Sequence, residues 1–86
     1  MVIKLEPFFI EKLRECPFSF QNKFRKAYQQ LKVVDQPKEV KGVASVAGNK
    51  KFFKLFVEKS RIGMEWDGKE LKIICFIFNQ HFNSFE

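Results

Sequence analysis

KKFFKLFVEKSRIGMEWDGKELKIICFIF, residues 50–78, is the stretch that decides the fold. Its apolar residues recur every second position, the period of a strand with one buried face. Phe53, Leu55 and Val57 point one way, and Phe52, Lys54, Phe56 and Glu58 point the other. Lys59-Ser60 reads as a connection. A second strand covers 61–66, with Ile62, Met64 and Trp66 on one face and Arg61, Gly63 and Glu65 on the other. Asp67-Gly68 between two apolar runs is a two-residue hairpin signal. A third strand covers 70–78, with Leu71, Ile73, Cys75 and Ile77 as its core face. Ile74, Phe76 and Phe78 make its second face apolar too, as in a central strand or one covered on both sides. A slip of one residue would turn the charges of these strands into the core, so alternation predicts Lys54, Glu58, Arg61 and Glu65 on one exposed face.

Upstream, residues 2–6 alternate as a short strand, with Ile3 and Leu5 opposite Lys4 and Glu6. Pro7 stops that strand and suits the first turn of a helix over 8–15, whose apolar face is Phe9, Ile10 and Leu13. Pro17 forces a corner. A second helix is predicted over 19–33, with Ser19 as its N-cap. Phe20, Phe24, Ala27 and Leu31 form one stripe on it, opposite Lys23, Arg25, Lys26 and Lys32. Residues 35–49 show no dominant period and read as irregular. The expected fold is α+β: one short strand, a two-helix hairpin, then a three-stranded antiparallel meander with the helices packed on one sheet face, β-α-α-β-β-β in order.

The chain has 86 residues, enough for a single domain over 1–86. Its 45% hydrophobic content and twelve Phe supply the apolar area that a disordered chain lacks. Sixteen Lys and Arg against ten Asp and Glu leave a net charge of +6, which suits an anionic partner. Cys16 and Cys75 make no framework, and with His81 as the one histidine no metal-ligand spacing exists, so no metal and no cofactor are expected. Neither a GxGxxG run nor a P-loop is present. The early charges Lys4 and Glu6 break any signal-peptide pattern, and the longest apolar run, 73–78, is far too short to span a bilayer. Two thiols without a disulfide framework fit a cytoplasmic protein that contacts no membrane.

The exposed sheet face collects chemistry. His81 follows the last strand and can fold back over that face, and Lys50 and Lys51 lie at its rim. Cleavage of RNA by protein groups needs a base for the ribose 2′-OH, a cation for the pentavalent phosphorus and an acid for the leaving 5′ oxygen. Glu58 suits the first task and Arg61 the second, while His81 suits either proton transfer. Lys50, Lys51 and Lys54 would hold neighbouring phosphates, and Phe52, Phe56, Phe82 and Phe85 would offer stacking surfaces to unpaired bases. Each group also has a plainer use: Glu58 and Arg61 as a cross-strand ion pair, His81 as a solvated side chain, the Phe as core.

Two passages, 51–62 (KFFKLFVEKSRI) and 67–74 (DGKELKII), resemble the RelE/ParE superfamily of small toxins from bacterial toxin–antitoxin pairs. The first is similar to that family's aromatic and basic strand followed by a strand opening with Arg. The second is similar to its acidic hairpin turn and last long strand. In the RelE and YoeB-like branch, the resemblance implies a ribosome-dependent mRNA endoribonuclease, held in check by a cognate antitoxin protein and lacking a cofactor. It implies catalytic roles for Glu58, Arg61 and His81, and RNA contacts for Lys50, Lys51, Lys54 and Phe82. Phe82 stands where that branch carries a Tyr. In the ParE branch the same fold poisons DNA gyrase without cutting RNA, and a catalytically inactive binding module is a further use of it.

Overall fold

The computed structural model describes residues 1–77. The elements are β1 (Val2–Leu5), α1 (Pro7–Arg14), α2 (Phe18–Val33), a 3-10 turn (Pro37–Glu39), β2 (Val43–Val46), β3 (Asn49–Val57), β4 (Ser60–Trp66) and β5 (Glu70–Ile77). The strands form one sheet in the order β1-β5-β4-β3-β2. β3, β4 and β5 are the antiparallel meander expected from the alternation. It is extended at both edges. β1 joins β5 in parallel, with Ile3 opposite Leu71, and β2 joins β3 antiparallel. β2 lies inside the stretch that the sequence leaves without a period.

Both helices cover one face of this sheet, α1 against β5 and α2 against β3. The core between the layers is built from Leu55, Ile62, Met64, Leu71 and Ile73 below and Phe9, Phe20, Phe24 and Leu31 above. The predicted stripe on α2 therefore packs inward: Phe20, Phe24 and Leu31 are buried and Ala27 is half-buried. Aromatic rings form a wedge at the α1 end. Phe9 lies 5.2 Å from Phe24 and 5.0 Å from Phe76, and Phe20 lies 5.8 Å from Phe76, between ring centroids.

Phe76 belongs to that core because of a bulge. Gly63 pairs with Cys75, but Met64 pairs with Ile73, so Ile74 is an extra residue on β5. One extra residue reverses the facing of every later residue on the strand. Leu71 and Ile73 face the helices as expected, whereas Phe76 replaces Cys75 and Ile77 on that side.

Three local features also differ from expectation. α2 begins at Phe18 with Pro17 in the N-cap position, so Ser19 lies inside the first turn; Gln21 Nε2 donates to the Cys16 carbonyl at 2.9 Å and holds the corner. The β4–β5 turn is centred on Gly68-Lys69 rather than Asp67-Gly68, because Asp67 N–H donates to the Glu70 carbonyl at 3.3 Å and closes the turn one residue later. Glu58 is not on a strand at all. Val57 pairs with Ser60, so Glu58-Lys59 is a two-residue turn, and Glu58 takes φ +54°.

Candidate functional site

The sheet face away from the helices is the candidate site, and its layout is set by register. One row across it is Lys4, Lys72, Glu65 and Phe52, on β1, β5, β4 and β3. The next is Cys75, Gly63, Lys54 and Ala44, on β5, β4, β3 and β2. The third is Ile77, Arg61 and Phe56. Lys54 lies opposite Gly63 and diagonal to both Arg61 and Glu65, at a typical diagonal Cα spacing of about 7–8 Å. Arg61 and Glu65 are about 13 Å apart along β4, at the usual strand rise.

Arg61 is half-buried, and its guanidinium carbon sits 5.6 Å from the centroid of the Phe56 ring. Phe56 keeps 43% of its surface exposed, so the ring is a platform under the cation and remains open to a further partner. A planar guanidinium held against a ring presents its fork of N–H donors in a fixed direction, which suits a phosphate. Arg61 and Lys54 are thus brought together as the sequence predicts.

The structure places the other predicted residues differently. Glu58, at the tip of the β3–β4 turn, meets Lys23 of α2, with Oε1 3.2 Å from Nζ. Its carboxylate is engaged with the helical layer rather than presented from a strand beside Arg61. Lys50 and Lys51 are exposed at the opposite end of β3 from Arg61, as rim residues. Lys51 lines a depression there with Glu65, Asp67, Glu70 and Lys72, so carboxylates offset its charge locally. His81, Phe82 and Phe85 lie outside the described residues. Among the described residues no group of three or more His, Cys, Asp and Glu is arranged to hold a metal ion, and no helix is long and apolar enough to cross a membrane.

Sequence reasoning missed a cavity of about 300 Å³ on this face. It opens over Gly63 and is walled by Val46, Phe52, Ile74, Cys75 and Ile77. A β-carbon on Gly63 would lie 3.5 Å from Ile77 Cδ1 and 3.6 Å from Cys75 Sγ, so the absent side chain is what leaves the space. An isolated Gly within an alternating strand is a signal for close approach of another group, and Gly63 carries it. Burial pushes the Cys75 thiol above its ordinary pKa, which keeps it a neutral, apolar wall. Cys16, at the α1–α2 corner, is pushed up as well, by burial first and the neighbouring Glu15 carboxylate second.

No protein-family model matches the chain, and no curated protein matches it by sequence. A solved structure does match in three dimensions: a chain of the RelB-RelE antitoxin-toxin complex from Methanococcus jannaschii, with TM-score 0.78 and 11% sequence identity, over 95% of this chain and 96% of that one. The chain thus shares the RelE-like α+β architecture, while its side chains are almost entirely its own.

Proposed function

We propose that this chain is the toxin of a toxin–antitoxin pair and that it cleaves mRNA on the ribosome through its open sheet face. The observation that carries this reading is the diagonal placement of Arg61 and Lys54 on the sheet face opposite the helices, with Phe56 as the platform beneath the guanidinium. In this mechanism Arg61 binds the scissile phosphate and neutralises the charge that grows on it as the 2′ oxygen attacks. A 2′-O–P bond forms, the P–O5′ bond breaks, the 2′-OH proton passes to a base, and O5′ receives a proton from an acid. His81 and Glu58 divide the two proton transfers. To act, Glu58 exchanges Lys23 for substrate at the hairpin tip. Lys54 holds the phosphate next to the scissile one, Lys50 and Lys51 extend the contact along the rim, and Phe82 stacks on a base. The reaction takes place in the cytoplasm and draws on no cofactor. An acidic, amphipathic antitoxin segment neutralises the chain by covering its cations and exposed Phe rings. The fold likeness to a chain of an antitoxin-toxin complex supports that partnership.

Expression of the wild type beside Arg61→Ala tests the reading. Wild type arrests growth and shortens a reporter mRNA, and Arg61→Ala does neither. A second reading, a non-enzymatic toxin of the gyrase-poisoning kind or an inactive binder of the same fold, has one observation in its favour. Glu58 is already committed to Lys23. Growth arrest by both proteins, with intact mRNA and induced DNA damage, establishes the gyrase version. Retained RNA binding without a cleaved product establishes the binder.

A further inference from the structure

We infer that the cavity over Gly63 is a subsite for one unpaired nucleobase of a single-stranded RNA, seated between the phosphates that Arg61 and Lys54 hold. This rests on the RNA-directed reading above and adds to it where a base goes and which residues admit it. Three observations carry it. The cavity is apolar, walled by Phe52, Ile74, Cys75, Ile77 and Val46, with no charged side chain among the described residues of its lining. It sits inside a basic frame: Lys54 is directly across from Gly63, and Arg61 is two residues along β4. Its floor exists because one position on the central strand lacks a side chain, while the flanking open-face positions of β4 carry Arg61 and Glu65. A sugar-phosphate backbone gripped by the cations places its base over the gap between them. Apolar walls hold a base by its faces and not by its edges, so the subsite prefers any base to none and discriminates little among bases.

The test is binding of the full chain to a short 2′-O-methyl oligoribonucleotide, which blocks cleavage, and to the same strand with one central abasic position, followed by fluorescence anisotropy. Wild type binds the intact strand about tenfold more tightly, the scale of one stacked base. Gly63→Val fills the cavity: it binds both strands equally and keeps the wild-type salt dependence, because its phosphate contacts remain. Phe52→Leu, on a neighbouring strand, also loses most of the tenfold preference, and it decides the matter if circular dichroism shows Gly63→Val unfolded. Equal binding of both strands by wild type, with an affinity that falls as salt rises, overturns the base subsite and leaves the RNA reading standing. That is also the result if the cavity instead receives an apolar side chain from a protein partner. A tenfold preference that survives in folded Gly63→Val overturns the subsite too. Wild type that binds neither strand overturns the base subsite, while the ribosome-dependent reading stands or falls on the growth and reporter-mRNA assay above.

Discussion

The two faces of the sheet share the same strands and obey different rules. On the covered face Leu55, Ile62, Met64, Leu71 and Ile73 are at most 1% exposed, and each of these five is apolar. On the open face neighbouring positions carry a Lys, a Gly, an Arg, a Glu, a Phe and a Cys. Burial accounts for each residue of the first set. It accounts for almost none of the second, since removing water from charged groups is costly and Lys54, Arg61 and Glu65 stay only half-buried. Residues that stability does not require are where binding chemistry is expected. The contrast has a measurable form. Phe9 is fully buried and touches both Phe24 and Phe76, so Phe9→Ala should cost about 3–5 kcal/mol, read from urea unfolding. Arg61→Ala, the variant proposed to abolish toxicity, should cost far less, under about 2 kcal/mol, because Arg61 is only half-buried and lies outside the core cluster. If Arg61→Ala destabilises the chain as much as Phe9→Ala does, the two faces are not distinct and any loss of toxicity in that variant says nothing about the site.

The covered face was also the legible one. Period two in β3 and β4 and the stripe on α2 place Phe53, Leu55, Ile62, Met64, Phe24 and Leu31 correctly because each pattern is local and is enforced by burial. The misplacements share a cause: they depend on partners distant in sequence or on backbone states that leave little trace in residue type. β2 is four residues, Val43–Val46, whose pairing with β3 shifts register between Ser45 and Val46, so no alternation survives to be read. The Ile74 bulge lies in a run that is apolar at every position, and parity cannot be read from such a run. β1 finds β5 across most of the chain. Glu58 misleads because a turn residue at positive φ is ordinarily Gly or Asn, and a charged residue reads as the strand continuing. Arg61 and Lys54 were legible as a pair because both lie on regular strand. Gly63 was visible as a residue, but the cavity above it needs the bulge, which brings Cys75 and Ile77 to the same face.

Glu58 sharpens the comparison, since it sits where the two faces meet. Its ion pair with Lys23 joins the hairpin tip to the helical layer, and both side chains are well exposed, 37% for Glu58 and 60% for Lys23. A pair of this kind contributes about 0.2–1 kcal/mol and weakens in salt. Glu58→Gln and Lys23→Gln should each lower stability by that small amount at low salt, and the double variant should lose no more than either alone. A loss above about 2 kcal/mol would mean that the tip is anchored as firmly as the core, far beyond what an exposed pair supplies.

The smallest effect belongs to the other hairpin tip, which serves neither face. Asp67 Oδ1 accepts the backbone N–H of Glu70 at 2.7 Å and of Lys69 at 2.8 Å. These donors favour the carboxylate over the carboxylic acid, those of Glu70 and then Lys69 most strongly, and hold its pKa below the ordinary aspartate value. Linkage sets the sign. A pKa lowered by folding contributes stability above the unfolded value, and that contribution is lost as pH falls through the folded one. Asp67→Asn keeps an oxygen acceptor and removes the charge, so it should melt slightly below wild type at neutral pH, and the gap should close as pH falls below the ordinary aspartate range. Asp67→Ala also removes the acceptor and should retain a deficit at every pH. Thermal melts of the three proteins across that range separate the two contributions. A gap between wild type and Asp67→Asn that widens in acid would reverse the assigned direction, whereas equal melts at every pH would make the carboxylate a bystander and leave the turn to the Asp67–Glu70 backbone hydrogen bond and to Gly68 at φ +97°.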